Sequence, residues 1–404
     1  MAKVLMMTAR LPYPPREGHQ LRSWHLLRAL ASAHEVTLAS FVRSDDLPDQ
    51  CGPLRALVAR LELFPIQAQQ SATVLAKALI NGIIGREPFV AHKYASAQMR
   101  ARVAELAREA DIVHVDMLPL IALLDEHAIT RTPIVLNAHN VEHALLQQRA
   151  AIESGLPQRL FLRGQVAKLK AFEQQACRRA QHLLACSQDD ADGLAALAPA
   201  TPMTVVPNGV DVAGNRPGGN VSADMSQLVF VGQMGWFPNR DGVQWFLAEV
   251  FPRILAERPD ARFVLVGNAS GLEVPDAVRA NVELRGFVDD LAGVLRGAGI
   301  YVVPLRSGSG TRLKVLEAMA FAKAIVTTHV GAQGIDLAAD SEAVFADTAQ
   351  DFAGAVLDLM AAPDRAARLG AAARAKAEAR YDWAAIGRKL LATYARVLAD
   401  QRVS

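Results

Sequence analysis

Two charged residues, Lys314 and Glu317, stand inside an apolar helical pattern in the stretch PLRSGSGTRLKVLEAMAFAKAIVTT, residues 304–328. The stretch leads from an apolar strand pattern through a Gly/Ser-rich turn into the helix, and then into a second strand pattern. Glycines let the backbone approach a ligand closely, and a helix N-terminus offers free N–H groups and a partial positive charge. The turn and the helix together have the general form of a phosphate-binding loop.

The spacing of the charged residues sharpens this interpretation. Gly310, Lys314 and Glu317 fall at i, i+4 and i+7, which predicts that they share one stripe of the helix. A lysine there can reach a phosphate at the helix N-terminus, and a carboxylate can accept hydrogen bonds from a ribose diol. The alternative is a solvated ion pair worth roughly a few tenths of a kcal/mol. The local sequence gives the two interpretations equal weight.

Length and composition exclude several classes of protein. The chain has 404 residues, which is too long for one hydrophobic core, so two domains of ordinary size are expected. The formal net charge is +2 and the basic residues are scattered, so nucleic acid is not an expected partner. The three cysteines (Cys51, Cys177 and Cys186) form neither a disulfide framework nor a zinc-site pattern and suit a reducing compartment.

The chain has no obvious targeting or membrane-spanning segment. MAKVLMMTARLPYPP has one lysine and a short apolar run before a Pro-rich turn, which predicts a first buried strand and not a signal peptide. No run of about 18 uncharged apolar residues occurs, so we expect no membrane span. The nearest candidate, SATVLAKALINGIIG at residues 71–85, is interrupted by Lys77 and Asn81. We expect a core helix there, with an interfacial helix as the alternative.

Short strand patterns alternate with helical patterns along the chain, which predicts an α/β protein with mostly parallel, doubly covered sheets. Residues 207–226 are rich in Gly, Asn, Pro and Ser and are the best linker candidate. We therefore expect two doubly wound domains, 1–206 and 207–381. A helix over 382–404, with Asp382 as its N-cap, is expected to pack back across the domain junction. The predicted strands cover residues 3–9, 34–42, 111–116, 133–139, 182–187, 203–209, 227–233, 261–268, 282–288, 300–305 and 324–328.

The charged helix and several other segments resemble those of the retaining glycosyltransferases of family 4. Glu317-Ala318-Met319-Ala320 matches the end of that family's E-x7-E motif, and VVPNGVD at residues 205–211 resembles its junction motif. The wider form GTRLKVLEAMA resembles a branch of bacterial exopolysaccharide sugar transferases. The resemblance covers nearly the whole chain. It implies the GT-B fold, in which two Rossmann-like domains face each other across a cleft.

The resemblance implies a donor site in the second domain. Glu317 would bind the nucleotide ribose, whereas Ser309 stands where the family has a first glutamate that contacts the donor sugar. FVGQMGWFPNRDGVQWF resembles the first strand and helix of the family's nucleotide domain, where an Arg/Lys pair commonly contacts the donor diphosphate. Gln233 occupies the arginine position, and Asn239-Arg240 lie near the lysine position.

The positive charge on the diphosphate is therefore expected from Arg312 and Lys314, beside the backbone of Gly310 and Thr311. VELRGFVDD resembles the loop with which the family grips the base, mostly through backbone groups. The corresponding residues here are Gly286, Phe287 and Val288.

In the first domain, LPYPPREGHQLRSWHLLRALA resembles the family's first strand, Gly-rich loop and helix. Gly18 precedes the helix, where N–H groups can face the donor; the alternative is a loop glycine without a ligand. IVLNAHNVEH ends a strand at His139, where the family carries a histidine near the transferred sugar. A neutral histidine there can hydrogen-bond a sugar hydroxyl or orient an acceptor, and a structural histidine is the alternative. Glu142, His143 and Asp116 are weaker candidates on this side.

The sequence thus predicts a cytoplasmic, retaining glycosyltransferase that moves a sugar from a nucleotide-diphosphate donor to a saccharide or lipid-linked saccharide acceptor in bacterial surface polysaccharide or glycoconjugate synthesis. Residues 1–206 would form the acceptor side and residues 207–381 the nucleotide-sugar side. Cationic groups would stabilise the leaving diphosphate, which would itself help deprotonate the acceptor. The resemblance implies no cofactor and no essential metal. Asp189-Asp190 and Asp289-Asp290 look like helix starts and not like a metal-binding DxD motif.

Two alternatives stay open at this point. A nucleotide-sugar 2-epimerase shares the two-domain shape but needs acid/base carboxylates that the sequence does not supply in a convincing set. A non-catalytic nucleotide-sugar-binding protein is favoured by the missing first glutamate and the altered Arg/Lys pair. The expected partners are the nucleotide diphosphate sugar, the acceptor and, through residues 71–85, the inner face of the plasma membrane.

Overall fold

The computed structural model describes residues 1–15, 17–43, 46, 51–125, 132–153, 155–218, 223–308 and 310–401. The chain divides into two units. Unit 1 is Met1–Pro207 together with the residues from Ile386 onward, and unit 2 is Asn208–Ala385. Within the described residues, no helix is long and apolar enough to cross a membrane.

Unit 1 is built on a parallel sheet of seven strands. They are β1 (Lys3–Thr8), β2 (Glu35–Val42), β3 (Arg60–Pro65), β4 (Ile112–Asp116), β5 (Ile134–Asn137), β6 (His182–Ala185) and β7 (Met203–Val205). Their order is β3-β2-β1-β4-β5-β6-β7. The direction of strand addition reverses between β1 and β4, which is where doubly wound sheets bind ligands.

The helices of unit 1 before its C-terminal segment lie between these strands. They are α1 (Gly18–Ala31), α2 (Cys51–Leu57), α3 (Gln67–Gln70), α4 (Ala72–Ile84), α5 (Phe89–Lys93), α6 (Ala97–Glu109), α7 (Glu142–Ile152), α8 (Leu156–Arg179) and α9 (Gln188–Leu197), with a 3-10 helix at Leu118–Leu123. Asp189 and Asp190 lie in the first turn of α9, as predicted for a helix start.

Unit 2 is built on a parallel sheet of six strands. They are β8 (Asp224–Val231), β9 (Arg262–Val266), β10 (Val282–Gly286), β11 (Ala298–Val303), β12 (Ala324–Thr327) and β13 (Val344–Phe345), in the order β10-β9-β8-β11-β12-β13. This order again reverses direction, here between β8 and β11. The predicted alternation of strands and helices is confirmed, but the sequence patterns miss β3 and β13. The sequence of β3, RLELFP, alternates only weakly between polar and apolar residues, and β13 has only two residues.

The helices of unit 2 are α10 (Phe237–Trp245), α11 (Phe251–Glu257), α12 (Leu291–Gly297), α13 (Leu313–Ala320), α14 (Ala349–Ala361) and α15 (Pro363–Lys376). Short 3-10 or π-helical segments lie at Phe246–Val250, Asp276–Asn281, Val330–Ala332 and Ala377–Tyr381. Asp290 is the N-cap of α12, and its side chain accepts a hydrogen bond from Gly293 N at 2.8 Å. The predicted helix start at this acidic pair is therefore correct.

The prediction of a core helix at residues 71–85 is wrong. α4 buries only Ala78 and Gly82. Ile83 and Ile84 are 59% and 78% exposed. The helix has more apolar residues than its one narrow contact face can bury, so most of its apolar surface lies outside the core of unit 1.

The linker prediction for residues 207–226 is only partly right. Val210 and Val212 are buried in the core of unit 2, and Val210 forms a β-bridge with Asp382. Residues 219–222 lie outside the described residues.

The last helix, α16 (Trp383–Gln401), buries the predicted apolar stripe, including Leu390 and Tyr394. Tyr394 Oη lies 2.6 Å from Nδ1 of His114 on β4, and from Ile386 onward the helix belongs to unit 1. This contact holds the C-terminal helix to the strand that ends at Asp116.

Candidate active site

A buried polar cluster lies at the carboxyl ends of β4 and β5 in unit 1. Asp116 accepts a hydrogen bond from Asn137 Nδ2 at 2.6 Å and another from the Ser23 hydroxyl. The Oδ1 atom of Asp116 also lies 2.8 Å from Nε2 of His139. The predicted site residue His139 is therefore held by a carboxylate from the neighbouring strand.

The charge state of Asp116 follows from these contacts. Burial alone would raise the pKa of Asp116, but His139 and His114 hold that pKa well below its usual range. An ionised Asp116 accepts a hydrogen bond from His139 Nε2, which leaves Nδ1 as the second polar atom of the ring. Met117 directly after Asp116 has a φ of +96°, a strained value for a non-glycine residue at a strand end.

Arg22 of α1 completes the cluster. It is 1% exposed and donates to Asn137 Oδ1 from Nη2 at 2.7 Å and to the Val206 carbonyl from Nη1 at 2.8 Å. The guanidinium thus joins α1 to the ends of β5 and β7. This cluster is fixed in place by groups of unit 1 itself.

The other candidates in unit 1 lie near the same sheet edge. Gly18 is the first residue of α1, and the preceding Glu17 forms an ion pair with Arg10. The buried Glu173 of α8 accepts a hydrogen bond from the backbone N of Glu142 at 2.7 Å and lies 2.6 Å from Nδ1 of His143. Burial and the charge of Glu173 raise the pKa of Glu142 to about 7. Glu173 therefore caps the start of α7, which gives His143 a structural role.

In unit 2, the Gly-rich turn after β11 leads into α13. Gly308 and Gly310 have φ values of +114° and +78°, which favour glycine. Ser309 lies outside the described residues. The hydroxyls of Ser307 and Thr311 are buried without a hydrogen-bond partner in the described part of the chain. Unsatisfied hydroxyls in a glycine-rich turn are suited to receive an anion.

The prediction that Gly310 shares a helical stripe with Lys314 and Glu317 is wrong. α13 begins at Leu313, and Arg312 is its N-cap with φ −83° and ψ 86°. Gly310 therefore belongs to the turn. Lys314 and Glu317 remain three residues apart within the helix, and both are half-buried.

Lys314 is half-buried and has a defined place. Its Nζ donates to Oδ1 of Asn239 at 2.6 Å and lies 4.1 Å from the centre of the Phe230 ring. Burial, and to a smaller extent the charge of Arg312, lowers the pKa of Lys314 to about 7. Phe230 lies in β8, so the ammonium sits near the carboxyl end of that strand.

Glu317 and Arg312 differ in their surroundings. Glu317 forms no hydrogen bond or ion pair with any other residue that the structure describes, and burial raises its pKa to about 7. Arg312 is 7% exposed and donates from Nε to the Val330 carbonyl at 3.3 Å. Burial lowers the pKa of Arg312 to about 10. The predicted ion pair between Lys314 and Glu317, the alternative to a ligand site, is not formed.

Two further donor candidates follow β8: Gln233 in the loop after the strand and Arg240 in α10. Gln233 is exposed two residues after β8, and its carbonyl accepts a hydrogen bond from Asn239 Nδ2 at 2.9 Å. Arg240 of α10 approaches Gly271, whose added Cβ would lie 3.3 Å from Nη1. Arg240 thus lies beside the loop after β9.

The predicted base-binding loop follows β10. Gly286 has a φ of +59°, and its carbonyl accepts a hydrogen bond from Gly267 N at 2.7 Å. Phe287 is 75% exposed, whereas Val288 packs against the core of unit 2. An exposed aromatic ring beside a strand end can stack on a planar base.

Sequence reasoning gave too little weight to two residues that the structure places at the centre of these clusters. Asp116 was only a weak candidate, yet it contacts three polar side chains, and Asn239 was treated only as a neighbour of Arg240. For Asp116, the sequence signal that could have identified it is a carboxylate at the end of a largely apolar strand pattern. In the part of the chain that the structure describes, no group of three or more His, Cys, Asp or Glu side chains could hold a metal ion.

Two family models match the chain, and together they cover most of it. The model described as Glycosyltransferase Family 4 matches residues 17–213. The model described as Glycosyl transferases group 1 matches residues 226–362.

Individual relatives are distant. The chain is 21% identical over 344 residues to an uncharacterized protein in the cps region of Klebsiella pneumoniae, with 83% of this chain and 84% of that protein covered. It is 28% identical over 204 residues to the phosphatidyl-myo-inositol mannosyltransferase of Mycolicibacterium smegmatis, with 48% of this chain and 51% of that protein covered.

Solved structures match along nearly the whole chain. Anabaena HepE, solved in complex with UDP and glucose, has a TM-score of 0.63 at 14% identity, with 98% of this chain and 100% of that chain covered. The similarity confirms the predicted fold of two parallel-sheet, Rossmann-like domains of GT-B type.

Proposed function

We propose that this chain, which belongs to the glycosyltransferases of family 4 type, is a retaining enzyme that moves a sugar from a nucleotide-diphosphate donor to a saccharide or lipid-linked saccharide acceptor. One observation carries the donor half of the proposal. Lys314 and Glu317 are both half-buried on α13, and neither forms an ion pair within the described residues. Such burial is costly unless a ligand compensates. A nucleoside diphosphate does so, because its phosphates suit the ammonium and its ribose diol suits the carboxylate.

The proposed chemistry is electrostatic. As the bond between sugar and diphosphate breaks, negative charge grows on the leaving group, and Lys314 and Arg312 would stabilise it. Removal of one such preorganised donor commonly lowers kcat by about 10² to 10³. His139, oriented by Asp116, would donate or accept a hydrogen bond with a sugar hydroxyl. The leaving phosphate would take the proton from the acceptor on the same face of the sugar, which retains the anomeric configuration.

The donor is tested first with nucleotides. We expect one of UDP, GDP, ADP, CMP or dTDP to raise the thermal midpoint of the protein without added metal, and UDP is the first choice because the HepE structure contains it. Glu317→Ala should abolish that shift without unfolding the protein. Persistence of the shift in EDTA would support metal independence, and its loss would contradict it. If no nucleotide stabilises the protein, the donor site is refuted.

The transfer step needs a separate measurement. Incubation of the protein with the matching nucleotide sugar and a saccharide or lipid-linked saccharide acceptor should release the nucleoside diphosphate. The sugar should join an acceptor hydroxyl in a product whose anomeric configuration equals that of the donor. An inverted product would refute the retaining mechanism. A donor epimer formed without any acceptor would favour a nucleotide-sugar 2-epimerase.

The acceptor side is proposed to lie at the inner face of the plasma membrane, in surface polysaccharide or glycoconjugate synthesis. Two helices support this. Ile83 and Ile84 on α4 and Leu156 and Leu160 on α8 are exposed, and Lys168 of α8 joins the helices by donating to the Gly82 carbonyl at 2.8 Å. Such an apolar surface is suited to an interfacial contact. A relative named for a phosphatidyl-myo-inositol substrate also fits a lipid acceptor.

Liposome flotation tests the membrane contact. The protein should float with vesicles that contain anionic lipid, and the double variant Ile83→Ser, Ile84→Ser should stay in the dense fraction. A double variant of exposed residues elsewhere on unit 1, Arg55→Ser with Arg108→Ser, serves as the control. Absence of flotation with either neutral or anionic vesicles would refute the contact and leave the donor site untouched.

A further inference from the structure

A side chain that the proposed reaction does not use directly, Asn239 of α10, holds the ammonium of Lys314. Asn239 is 7% exposed, and its two polar atoms have different partners. Oδ1 accepts from Lys314 Nζ at 2.6 Å, and Nδ2 donates to the Gln233 carbonyl at 2.9 Å. The amide orientation is therefore fixed by the backbone that follows β8.

The space around the ammonium is closed on two further sides. The Phe230 ring lies beneath Nζ, with its centre 4.1 Å away. A Cβ added at Gly232 would lie 3.0 Å from Nζ and 2.8 Å from Asn239 Nδ2, so a side chain at that position would disturb both groups. The amide, the ring and the glycine backbone together define one place for the lysine head group. We call it the lysine seat, formed by Phe230, Gly232 and Asn239.

We propose that Asn239 is a positioning residue that presents the Lys314 ammonium to the diphosphate of the donor at the carboxyl end of β8. The identity of the ligand rests on the function proposed above. A lysine side chain has several rotatable bonds, and fixing its head group before binding avoids the loss of conformational freedom when the ligand arrives. Asn239 thereby acts on the ligand only through Lys314.

An amide at position 239 affects the charge of Lys314 differently from a carboxylate. The charged groups that face Lys314 are Arg312, at the start of the same helix, and Glu317, one turn along it. An amide oxygen accepts a hydrogen bond from the ammonium without cancelling its charge. A carboxylate at position 239 would form an ion pair that keeps the lysine charged but weakens its attraction to a phosphate.

A double-mutant cycle tests the proposal, with UDP affinity measured by calorimetry as the readout. Asn239→Ala should weaken UDP binding about tenfold in the native background and less than twofold in the Lys314→Gln background. Asn281→Ala is the matched control, because among the described residues Asn281 donates only to the backbone carbonyls of Pro259 and Ala261. Equal losses in both backgrounds, or no loss in the native one, would overturn the proposal.

A second measurement does not depend on any nucleotide. The chain has nine lysines, so NMR of isotope-labelled lysine side chains gives few signals, and Lys314→Gln assigns the one of interest. Asn239→Asp should raise the titration midpoint of Lys314 by more than one pH unit, while Asn281→Asp should leave it unchanged. An unchanged titration midpoint of Lys314 in Asn239→Asp would show that Asn239 does not contact the ammonium, which would overturn the proposal. If the native protein bound no nucleotide but the midpoint moved as expected, the proposed donor would fail and the lysine seat would stand.

Discussion

The two polar clusters of this protein hold their charges in opposite ways. In unit 1, Asp116 is surrounded by donors: Asn137, the Ser23 hydroxyl and His139. In unit 2, the carboxylate of Glu317 has no hydrogen-bond partner within the described residues. Burial therefore raises its pKa, to about 7. The fold stabilises the ionised form of Asp116 and destabilises the ionised form of Glu317.

The two clusters therefore differ in what they contribute to stability when no ligand is bound. In the cluster of unit 1, Asp116 has its hydrogen-bond donors without a ligand, so these polar groups contribute to the stability of the fold and keep His139 in one orientation. The cluster on α13 leaves charges partly desolvated, so the fold bears a cost that a bound anion and diol would offset. Removal of the Asp116 charge should therefore lower the free energy of unfolding, whereas removal of the Lys314 or Glu317 charge should not.

The largest effect is expected from Asp116→Asn. Leaving buried donors without a charged acceptor typically costs about 1 to 3 kcal/mol, and more where the group is charged. His139 would face a neutral amide oxygen in place of the carboxylate that orients it. We expect a lower urea midpoint together with loss of transfer activity. Asp111→Asn is the control, because Asp111 is exposed at the start of the same strand and accepts one bond from Lys3 N at 2.7 Å. An unchanged midpoint in Asp116→Asn would remove the contrast between the clusters.

Lys314→Gln should have the reverse pattern. We expect kcat to fall by about 10² to 10³, because a preorganised donor to the leaving diphosphate is lost. The free energy of unfolding of the nucleotide-free protein should stay the same or rise by about 1 kcal/mol, since a partly desolvated charge is removed.

Lys323→Gln sharpens this comparison. Burial also lowers the pKa of Lys323, to about 8, but its Nζ donates to the carbonyls of Ala298 and Arg296 at 2.7 and 3.0 Å. That substitution should lower stability and leave kcat of the folded fraction unchanged. Loss of kcat in Lys323→Gln but not in Lys314→Gln would contradict the assignment of α13.

A smaller effect is expected from Glu317→Gln. A hydrogen bond to a charged acceptor contributes about 1.5 to 3 kcal/mol, so UDP affinity should fall about ten- to a hundredfold. The matched ligand is dUDP, which lacks one hydroxyl of the diol. The native protein should prefer UDP over dUDP, and Glu317→Gln should bind the two alike. The same preference in both proteins would remove Glu317 from the ribose site.

The comparison also explains which site was predictable. Lys314 and Glu317 stand out in the sequence because an apolar helical pattern has no packing reason to carry them. The start of α13 was misplaced because Arg312 takes a non-helical conformation, a boundary that no pattern announces. The cluster of unit 1 was largely hidden, since Asp116 is 21 residues from Asn137 and 93 from Ser23. Only the strand order β1-β4-β5 brings such residues together.

The smallest expected effect is on the pH dependence of UDP affinity, to which Lys314 and Glu317 should contribute slopes of opposite sign. Without ligand, the pKa of Lys314 is lowered to about 7 by burial and the charge of Arg312. A bound phosphate favours the charged lysine, so binding takes up a proton above pH 7 and affinity falls as pH rises. Burial raises the pKa of Glu317 to about 7, and ribose hydroxyls favour its ionised form. Binding then releases a proton below pH 7, and affinity rises with pH.

The single variants separate the two slopes, which oppose each other in the native protein. In Glu317→Gln only the lysine titrates, so UDP affinity should fall by up to about tenfold per pH unit above pH 7. In Lys314→Gln only the carboxylate titrates, so affinity should rise with pH. The pKa of Glu317 should also move further above 7 there, since the lysine charge that lowers it is gone. The native protein measured in the same buffers corrects for titration of UDP itself. Slopes of the same sign in both variants would show that these two groups do not face the ligand as opposite charges.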